Sequence, residues 1–247
     1  MSTPKLTIVI CTHNRAELLM RAIASINASI RPRDCELSIM VVANACSDAT
    51  VAELDNYIEH HLDDAMPLVY FEEPQAGKSF ALNLALRKVE EGFACFIDDD
   101  QRVDSTFFEG ISKTLSSHPD CSFFCGKLIP DWTGEEPPWV HDTGEYKIFP
   151  LPVPHYDPGH QSISLTLRDD LPSGGNLIIK TNLLRRVGDF SINLGPRGHN
   201  LMGGEDSDYV KRLLNSGAML IYSPDITQYH YVDPKRLTLR FLITLSF

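Results

Sequence analysis

Short apolar runs alternate with amphipathic segments along the first hundred residues. The apolar runs, each typical of a buried strand, are 6–11, 37–42, 68–71 and 93–97. The segments between them carry apolar residues at helical spacing, and the first opens on Asn14 and Glu17, a capping pattern. Repeated strand–helix–strand units predict a mostly parallel sheet with helices on both faces. Because such sheets bind ligands beyond the carboxyl ends of their strands, chemistry is expected at that edge.

The pattern is weaker in the second half of the chain. Its predicted elements are a helix from Asp104 to Leu115, strands at 121–129, 177–180 and 219–222, and a helix at 206–214. Residues 130–172 are rich in Pro, Gly, Asp and His, and so long an irregular stretch in a compact domain is usually functional or mobile. Without repeats or a low-complexity linker, we expect one domain over 1–247. Its predicted parts are the halves 1–104 and 105–232 and a helical tail, 233–247.

Composition restricts the class of partner. A formal net charge of -11 argues against sequence-independent binding of nucleic acid, which requires clustered Lys and Arg, so no nucleic-acid partner is expected. The six cysteines have no CxxC spacing, which favours free thiols over a disulfide framework or a zinc site. Neither a signal peptide nor an apolar run of roughly 18–20 residues is recognisable. The expected location is cytoplasmic, with a peripheral position at the inner membrane face as the alternative.

Asp98-Asp99-Asp100 directly follows the fourth predicted strand. Adjacent carboxylates repel one another unless a cation or hydrogen-bond donors are present. Mg²⁺ and Mn²⁺ favour carboxylate oxygens and substrate phosphates, so the triplet is a candidate metal site; a helix cap or a solvated turn is the alternative. His230 follows the last predicted strand. It is a structural histidine unless the triplet binds a metal nearby, in which case imidazole can complete a Mn²⁺ shell.

A second acidic motif, Gly203-Gly204-Glu205-Asp206, immediately precedes the last predicted helix. Asp206 lies one turn before Val210, which places it at the N-terminal end of the buried helix face. A carboxylate there can act as a general base. The alternative is that Glu205 and Asp206 merely favour the dipole of the helix N-terminus.

Two common nucleotide motifs are incomplete in this chain. Gly77-Lys78-Ser79 suggests a P-loop, but Glu72 occupies the position of the first Walker A glycine. The turn Thr12–Arg15 lacks GxGxxG, which argues against a nicotinamide or flavin dinucleotide. The helix start at Gly77 and Lys78 can still contact a diphosphate through backbone N–H groups and the lysine charge.

In their order along the chain, these motifs resemble those of family 2 glycosyltransferases. The matching segments are 8–15, 41–50, 77–83, 98–100, 173–176, 203–206 and His230. The resemblance implies an α/β fold with a single GT-A-like domain, whose Rossmann-like nucleotide-binding half contains a mostly parallel, mixed sheet. It also implies an inverting enzyme that moves a sugar from a nucleotide-diphosphate sugar to an acceptor hydroxyl with the help of a divalent metal.

The resemblance assigns roles position by position. The residues that would bind the nucleotide and donor are Thr12, His13, Asn14, Arg15, Asn44, Lys78, Asn83, Asp98 and Asp99. Asp100 and His230 would hold Mn²⁺ or Mg²⁺, and Asp206 would be the catalytic base with Glu205 in support. The residues that would shape the sugar and acceptor site are Ser173, Gly174, Gly175, Asn176 and a stacking platform, Trp132 or Trp139.

One position departs from the family pattern, and two other functions stay open. Many members have Asp where this chain has Ala43, and that Asp often reads uracil; UDP is nevertheless the expected nucleotide, with Asn44 as a substitute partner for the base. A sugar-phosphate nucleotidyltransferase usually has a Gly-rich, Arg-containing loop where this chain has Thr12–Arg15. A non-catalytic sugar-nucleotide or glycan-binding module would not need a proton acceptor at Asp206.

The tail carries apolar residues near helical spacing together with three basic residues. They are Leu237, Phe241 and Leu245, with Lys235, Arg236 and Arg240. The pattern favours a helix that packs on the domain, and a homodimer or membrane-surface contact is the alternative.

Overall fold

The computed structural model describes residues 4–60, 64–145, 147–148, 151–195, 204–238 and 240–241. Its strands are β1 Lys5–Thr12, β2 Glu36–Asn44, β3 Leu68–Glu73, β4 Phe93–Ile97, β5 Gln101–Val103, β6 Phe123–Asp131, β7 Ile163–Leu165, β8 Asn176–Lys180 and β9 Leu220–Tyr231. Its α-helices are α1 Ala16–Ala28, α2 Thr50–His60, α3 Lys78–Lys88, α4 Phe107–Ser117, α5 Thr181–Val187 and α6 Glu205–Asn215. Short 3-10 helices span Pro138–His141 and Pro234–Leu237.

The strands form one nine-stranded sheet in the order β3-β2-β1-β4-β8-β6-β9-β5, with β7 beside β9. β1 to β4, β6 and β9 run in one direction, whereas β5, β7 and β8 run in the other. The predicted mostly parallel, mixed sheet is therefore confirmed. Because β8 is antiparallel to β4, Asn176 at its start pairs with Ile97 at the end of β4.

Helices cover both faces of the sheet, as predicted. Alternate residues of β1 point to opposite faces: Ile8 packs in a core with α1, α2 and α4, and Val9 packs in a core with α3, α5 and α6. In this three-layer arrangement, the loops that follow β1, β2 and β4 converge at the edge of the sheet that holds the carboxyl ends of these strands.

The last strand is the largest difference from the sequence prediction. β9 continues to Tyr231, so His230 lies inside a strand and not after one. The polar residues Ser223 and Gln228 interrupt the apolar run, yet both are buried within the sheet. In a sequence, a buried polar residue cannot be distinguished from a polar residue of a loop. For this reason the predicted strand ended at residue 222 although β9 continues to Tyr231. Three short elements, β5, β7 and α5, were also not predicted from the pattern.

Asn14 does not cap α1. It adopts a left-handed conformation with φ of 54°, and its Oδ1 accepts hydrogen bonds from the backbone N–H groups of Ser47 (2.7 Å) and Asp48 (3.2 Å). The first amide of α1, Ala16, donates to Asp48 Oδ2 instead at 3.2 Å. The two turns that follow β1 and β2 are thus tied to each other.

The described part of the tail packs on the domain. Leu237 in the 3-10 helix is buried with Val140, Val153 and Val232, whereas residues 239 and 242–247 lie outside the described residues. Among the described residues, no helix has the length and apolar character to cross a membrane. All six cysteines are free thiols.

Candidate active site

A cleft of about 320 Å³ lies at the carboxyl ends of β1, β2 and β4. The predicted site residues that line it are Thr12, His13, Arg15, Asn44, Lys78, Asp98, Asp99, Asp100 and His230. Cys11 also lines the cleft. Burial raises the pKa of its thiol to about 12; the charge of Lys78 opposes this shift, and the charges of Asp98, Asp99 and Asp206 add to it. This thiol is protonated at neutral pH and is not an activated nucleophile.

The acidic triplet lies in the turn between β4 and β5 with hydrogen-bond donors around it. Arg15 Nη1 is 2.9 Å from both Asp99 Oδ1 and Asp100 Oδ2, and Thr12 Oγ1 donates to Asp99 Oδ2 at 2.7 Å. One guanidinium therefore offsets part of the repulsion between adjacent carboxylates. These contacts bring the turn after β1 against the turn after β4.

Asp98 and Asp99 have opposite pKa shifts. Burial disfavours the ionised form of Asp98, but the charge and hydrogen bond of Lys78 outweigh it and hold the pKa of Asp98 below its usual value. Burial raises the pKa of Asp99 to about 6; Arg15 and Thr12 oppose the shift, and the charges of Asp100 and Asp98 add to it. The turn is therefore less negative near pH 6 than its three carboxylates suggest.

Asp100 and His230 face each other across the cleft. His230 Nδ1 lies 2.7 Å from the backbone carbonyl of Tyr231, which can only accept, so Nδ1 carries a hydrogen. Nε2 then points at Asp100 Oδ1, 3.3 Å away. A cation between these two atoms would be favourable, because both carry lone pairs directed at the same space.

This pair fits a divalent metal. Ligands about 2.0–2.1 Å from Mg²⁺ lie about 3 Å apart when adjacent in its shell, close to the observed separation. Within the described part of the chain, no group of three or more His, Cys, Asp or Glu side chains is arranged to hold a metal. The remaining ligands would therefore be phosphate oxygens and waters, as is usual for Mg²⁺ in phosphate sites.

Lys78 connects this turn to α6. Its Nζ is 3.1 Å from Asp98 Oδ1, 3.4 Å from Asp206 Oδ2 and 3.7 Å from Glu205 Oε1. Burial opposes the charged form of Lys78, but these carboxylates outweigh it and raise the pKa of the ammonium well above its usual value. Lys78 therefore stays charged and joins the two acidic motifs.

Asp206 lies in the first turn of α6, after Gly204 in a left-handed conformation with φ of 108°. Its Oδ1 is buried and has no hydrogen-bond partner among the described residues. Glu205 beside it is buried, and burial together with the charge of Asp206 raises the pKa of Glu205, partly offset by Lys78. Gly203, predicted as part of this motif, lies outside the described residues.

Gly174 and Gly175 are packed directly against the two acidic motifs. A Cβ at Gly174 would overlap the Asp206 carboxylate, and a Cβ at Gly175 would overlap that of Asp98. The absence of a side chain at both positions therefore allows α6, β8 and the acidic turn to approach one another.

We expect the substitution Gly175→Ala to weaken nucleotide binding by about tenfold, because the new Cβ would push the Asp98 carboxylate and lie 2.7 Å from Gln101 Nε2. Overpacking should also lower the free energy of unfolding by about 1–3 kcal/mol. Calorimetry and urea unfolding measure the two effects. Gly144→Ala is the control, since its Cβ would meet only Asp142 Oδ1, on an exposed side chain, at 3.0 Å. Equal nucleotide affinity of the two variants would contradict this prediction.

Three predicted ligand-binding amides are used to hold the backbone. Asn44 donates to the carbonyls of Glu73 and Gln75 and accepts from Gly77 N–H. Asn83 is buried outside the cleft lining, where both polar atoms of its amide bond the backbone of Phe190. Asn176 makes the same pair of bonds with the backbone of Gly126. In this arrangement the three amides hold neighbouring backbone segments together, and of the three residues only Asn44 lines the cleft.

The remaining predicted acceptor residues, Ser173 and Trp139, do not line the cleft. Ser173 is exposed at the start of the segment that leads into β8. Trp139 is half-buried and packs with Trp132 on the small apolar cluster that contains Leu237. Two buried residues of the site, Gln101 and Gln228, were not predicted from the sequence; Gln101 contacts Asp98, and Gln228 contacts Gln101. The only signal for them was the position of Gln101 directly after the triplet.

The chain is similar in sequence to a curated protein and in fold to solved glycosyltransferase structures. The curated succinoglycan biosynthesis protein ExoM from Rhizobium meliloti is 22% identical over 252 residues, which cover 99% of this chain and 72% of ExoM. The structure of S. aureus TarS 1-349 with UDP-GlcNAc has a TM-score of 0.68 at 17% identity, and covers 93% of this chain and 59% of that one. The mannosyltransferase PcManGT from Pyrobaculum calidifontis, with GDP-Man and Mn²⁺, has a TM-score of 0.64 at 23% identity and covers 95% and 59%.

These solved structures show a shared GT-A fold, and the chain spans 59% of the length of both. The family model described as glycosyl transferase family 2 matches residues 7–166, which is more than half of the chain. The matched region contains the turn after β1, Lys78 and the acidic triplet. The chain therefore carries a glycosyltransferase domain and belongs to glycosyl transferase family 2.

Proposed function

We propose that this chain transfers a sugar from a nucleotide-diphosphate sugar to an acceptor hydroxyl with inversion, and that Asp206 is the general base. The observation that carries the proposal is the position of Lys78, within 3.4 Å of both Asp98 and Asp206. Inversion places the leaving diphosphate and the general base on opposite sides of the anomeric carbon. The acidic turn at the diphosphate and the carboxylate of the base must therefore lie close together.

The donor would occupy the cleft with its diphosphate near Lys78 and the acidic turn. The structures of TarS in complex with UDP-GlcNAc and of PcManGT in complex with GDP-Man and Mn²⁺ support this position. The base of the nucleotide would lie near His13, whose Nδ1 is 2.6 Å from the Asn44 carbonyl. Because the Asn44 amide already binds the backbone, recognition of the base falls to His13 and to backbone groups. UDP is the nucleotide we propose.

Asp100 and His230 would hold the divalent ion. When bound there, Mn²⁺ or Mg²⁺ would supply positive charge for the leaving diphosphate. Arg15, which contacts Asp99 and Asp100, would keep the turn in place as the charge on the diphosphate grows. The carboxylate and imidazole types of these ligands support such an ion.

Asp206 would remove the proton of the acceptor hydroxyl as that oxygen attacks the anomeric carbon. The acceptor O–H bond and the bond between sugar and diphosphate break, a glycosidic bond forms, and the proton ends on Asp206. A diphosphate would draw Lys78 away from α6, which would leave Asp206 Oδ2 free for the acceptor. Attack opposite the leaving group inverts the sugar, and no covalent enzyme intermediate is needed.

The acceptor would be bound between Asp206, Ser173 and the 130–172 segment that contains Trp139. The similarity to ExoM, a succinoglycan biosynthesis protein, supports a role in polysaccharide biosynthesis and a sugar hydroxyl as the acceptor. The alternative function, a sugar-phosphate nucleotidyltransferase, is disfavoured because the family model that matches residues 7–166 is that of glycosyl transferase family 2.

Calorimetry with UDP, GDP, dTDP and CDP, each with and without Mn²⁺, tests the proposal. We expect Mn²⁺-dependent binding of UDP, because the cleft combines a cationic side chain with two metal ligands. Binding of a different nucleotide would correct the base and keep the mechanism. A folded protein that binds none of the four would contradict the proposal. Binding without any release of UDP from UDP-sugars would indicate a non-catalytic module.

A further inference from the structure

We infer that Gln101 is a positioning residue: together with Gln228 it holds the turn from Asp98 to Gln101 in the form that presents the acidic triplet. The inference rests on the proposed function, because it concerns how the metal and donor ligands are oriented. Neither glutamine contacts the cleft, so both would act through their neighbours.

Gln101 closes the acidic turn twice. Its backbone N–H donates to the Asp98 carbonyl at 3.1 Å, and its side-chain Oε1 accepts from the Asp98 N–H, also at 3.1 Å. The backbone N–H and the backbone carbonyl of Asp98 therefore both form hydrogen bonds with Gln101. A backbone bond alone leaves a turn free to change type, and the second bond restricts the rotation of Asp98 relative to β5.

Gln228 links this turn to the rest of the site. Its Nε2 is 3.4 Å from Gln101 Oε1 and 3.2 Å from the Gly175 carbonyl. Gln101 also pairs with His230 in the β5–β9 ladder, and the Tyr231 N–H donates to the Asp100 carbonyl at 2.8 Å. The amide pair thus joins the triplet, the strand that carries the second metal ligand and the glycine segment that touches Asp98.

Stability alone does not account for this pair. Gln101 and Gln228 are 3% and 1% exposed, and burial of an amide is unfavourable unless its hydrogen bonds are made. Gln101 Nε2 has no partner among the described residues. Two methionines of similar volume would fill the same space and remove the unpaired amide, but the Asp98 N–H and the Gly175 carbonyl would lose their hydrogen-bond partners. The orientation of the turn is what only the amides provide.

The test uses Gln101→Met, Gln228→Met and the double variant. For each, Mn²⁺-dependent binding of whichever of UDP, GDP, dTDP and CDP the wild type selects is measured by calorimetry, and the free energy of unfolding by urea. We expect Gln101→Met to lower the affinity by about 10–100-fold, as for other residues that orient metal ligands, and Gln228→Met to lower it less. The double variant should remain folded but unfold at a lower urea concentration than the wild type, because the Asp98 N–H and the Gly175 carbonyl lose their partners.

Ser223→Ala is the matched control. Ser223 lies on β9 like Gln228, is equally buried, and receives a hydrogen bond from Thr114 Oγ1 at 2.7 Å, away from the cleft. This variant should lose stability and keep wild-type nucleotide affinity. Unchanged affinity in the folded glutamine variants would overturn the inference and leave the proposed function intact. Absence of Mn²⁺-dependent binding in the wild type would overturn both.

Discussion

Asp206→Asn is expected to lower the rate of sugar transfer by about 10²–10⁴-fold, the range that a general base usually contributes. The amide keeps the size of the carboxylate but cannot accept the proton of the attacking hydroxyl. Mn²⁺-dependent nucleotide binding should persist, because Lys78 still has Asp98 and Glu205 as partners. Release of the nucleoside diphosphate from its sugar donor measures the rate, and calorimetry measures binding.

Asp208→Asn is the control for this experiment. Asp208 lies on the same helix two residues later and pairs with Arg212 at 2.8 Å on the surface, away from Lys78. The variant removes the same charge and should retain full activity. A normal rate in Asp206→Asn would exclude this residue as the base. Loss of rate and nucleotide binding together, with a lowered free energy of unfolding, would indicate a structural role for Asp206.

Asp100→Ala is expected to abolish the effect of Mn²⁺ on nucleotide binding, a loss on the order of 100-fold in affinity. The substitution removes the carboxylate that faces His230 Nε2 at 3.3 Å, so one ligand of the pair remains. Arg15 keeps its contact with Asp99, which should preserve the turn. The measurement is calorimetric titration of the nucleotide with and without Mn²⁺.

Asp120→Ala serves as the control, because Asp120 is an exposed carboxylate outside the cleft. It changes the net charge by the same amount and should leave the Mn²⁺ effect intact. An undiminished Mn²⁺ effect in Asp100→Ala would contradict the assignment of the metal to Asp100 and His230. Weak binding that no longer responds to Mn²⁺ would support it.

Much of the site could be predicted from local sequence. The apolar run 93–97 ends at Asp98, and a strand that is parallel to its neighbour delivers whatever follows it to the ligand-binding edge. In the same way, the apolar spacing that follows Asp206 places this carboxylate in the first turn of α6. These predictions need only the burial pattern of one segment, which the order of residues determines.

The roles of the amides could not be predicted in this way. Asn44, Asn83 and Asn176 stand at positions that match ligand-binding motifs, yet each amide bonds a backbone segment. A polar side chain has the same chemistry whether it meets a substrate or a carbonyl of its own chain. Only the positions of the neighbouring loops decide between the two.

By itself, the sequence determined the alternating strands and helices of the first hundred residues, the acidic turn after β4 and the carboxylate at the start of α6. The tertiary structure decided which of these groups meet: β9 pairs with β5, which sets His230 beside Asp100, and β8 pairs with β4, which brings Gly175 against Asp98. The tertiary structure also brings Lys78 into contact with both Asp98 and Asp206, which lie in different parts of the sequence. Periodicity reports how deeply each segment is buried, whereas the pairings of β4 with β8 and of β5 with β9 join residues 79 to 129 positions apart.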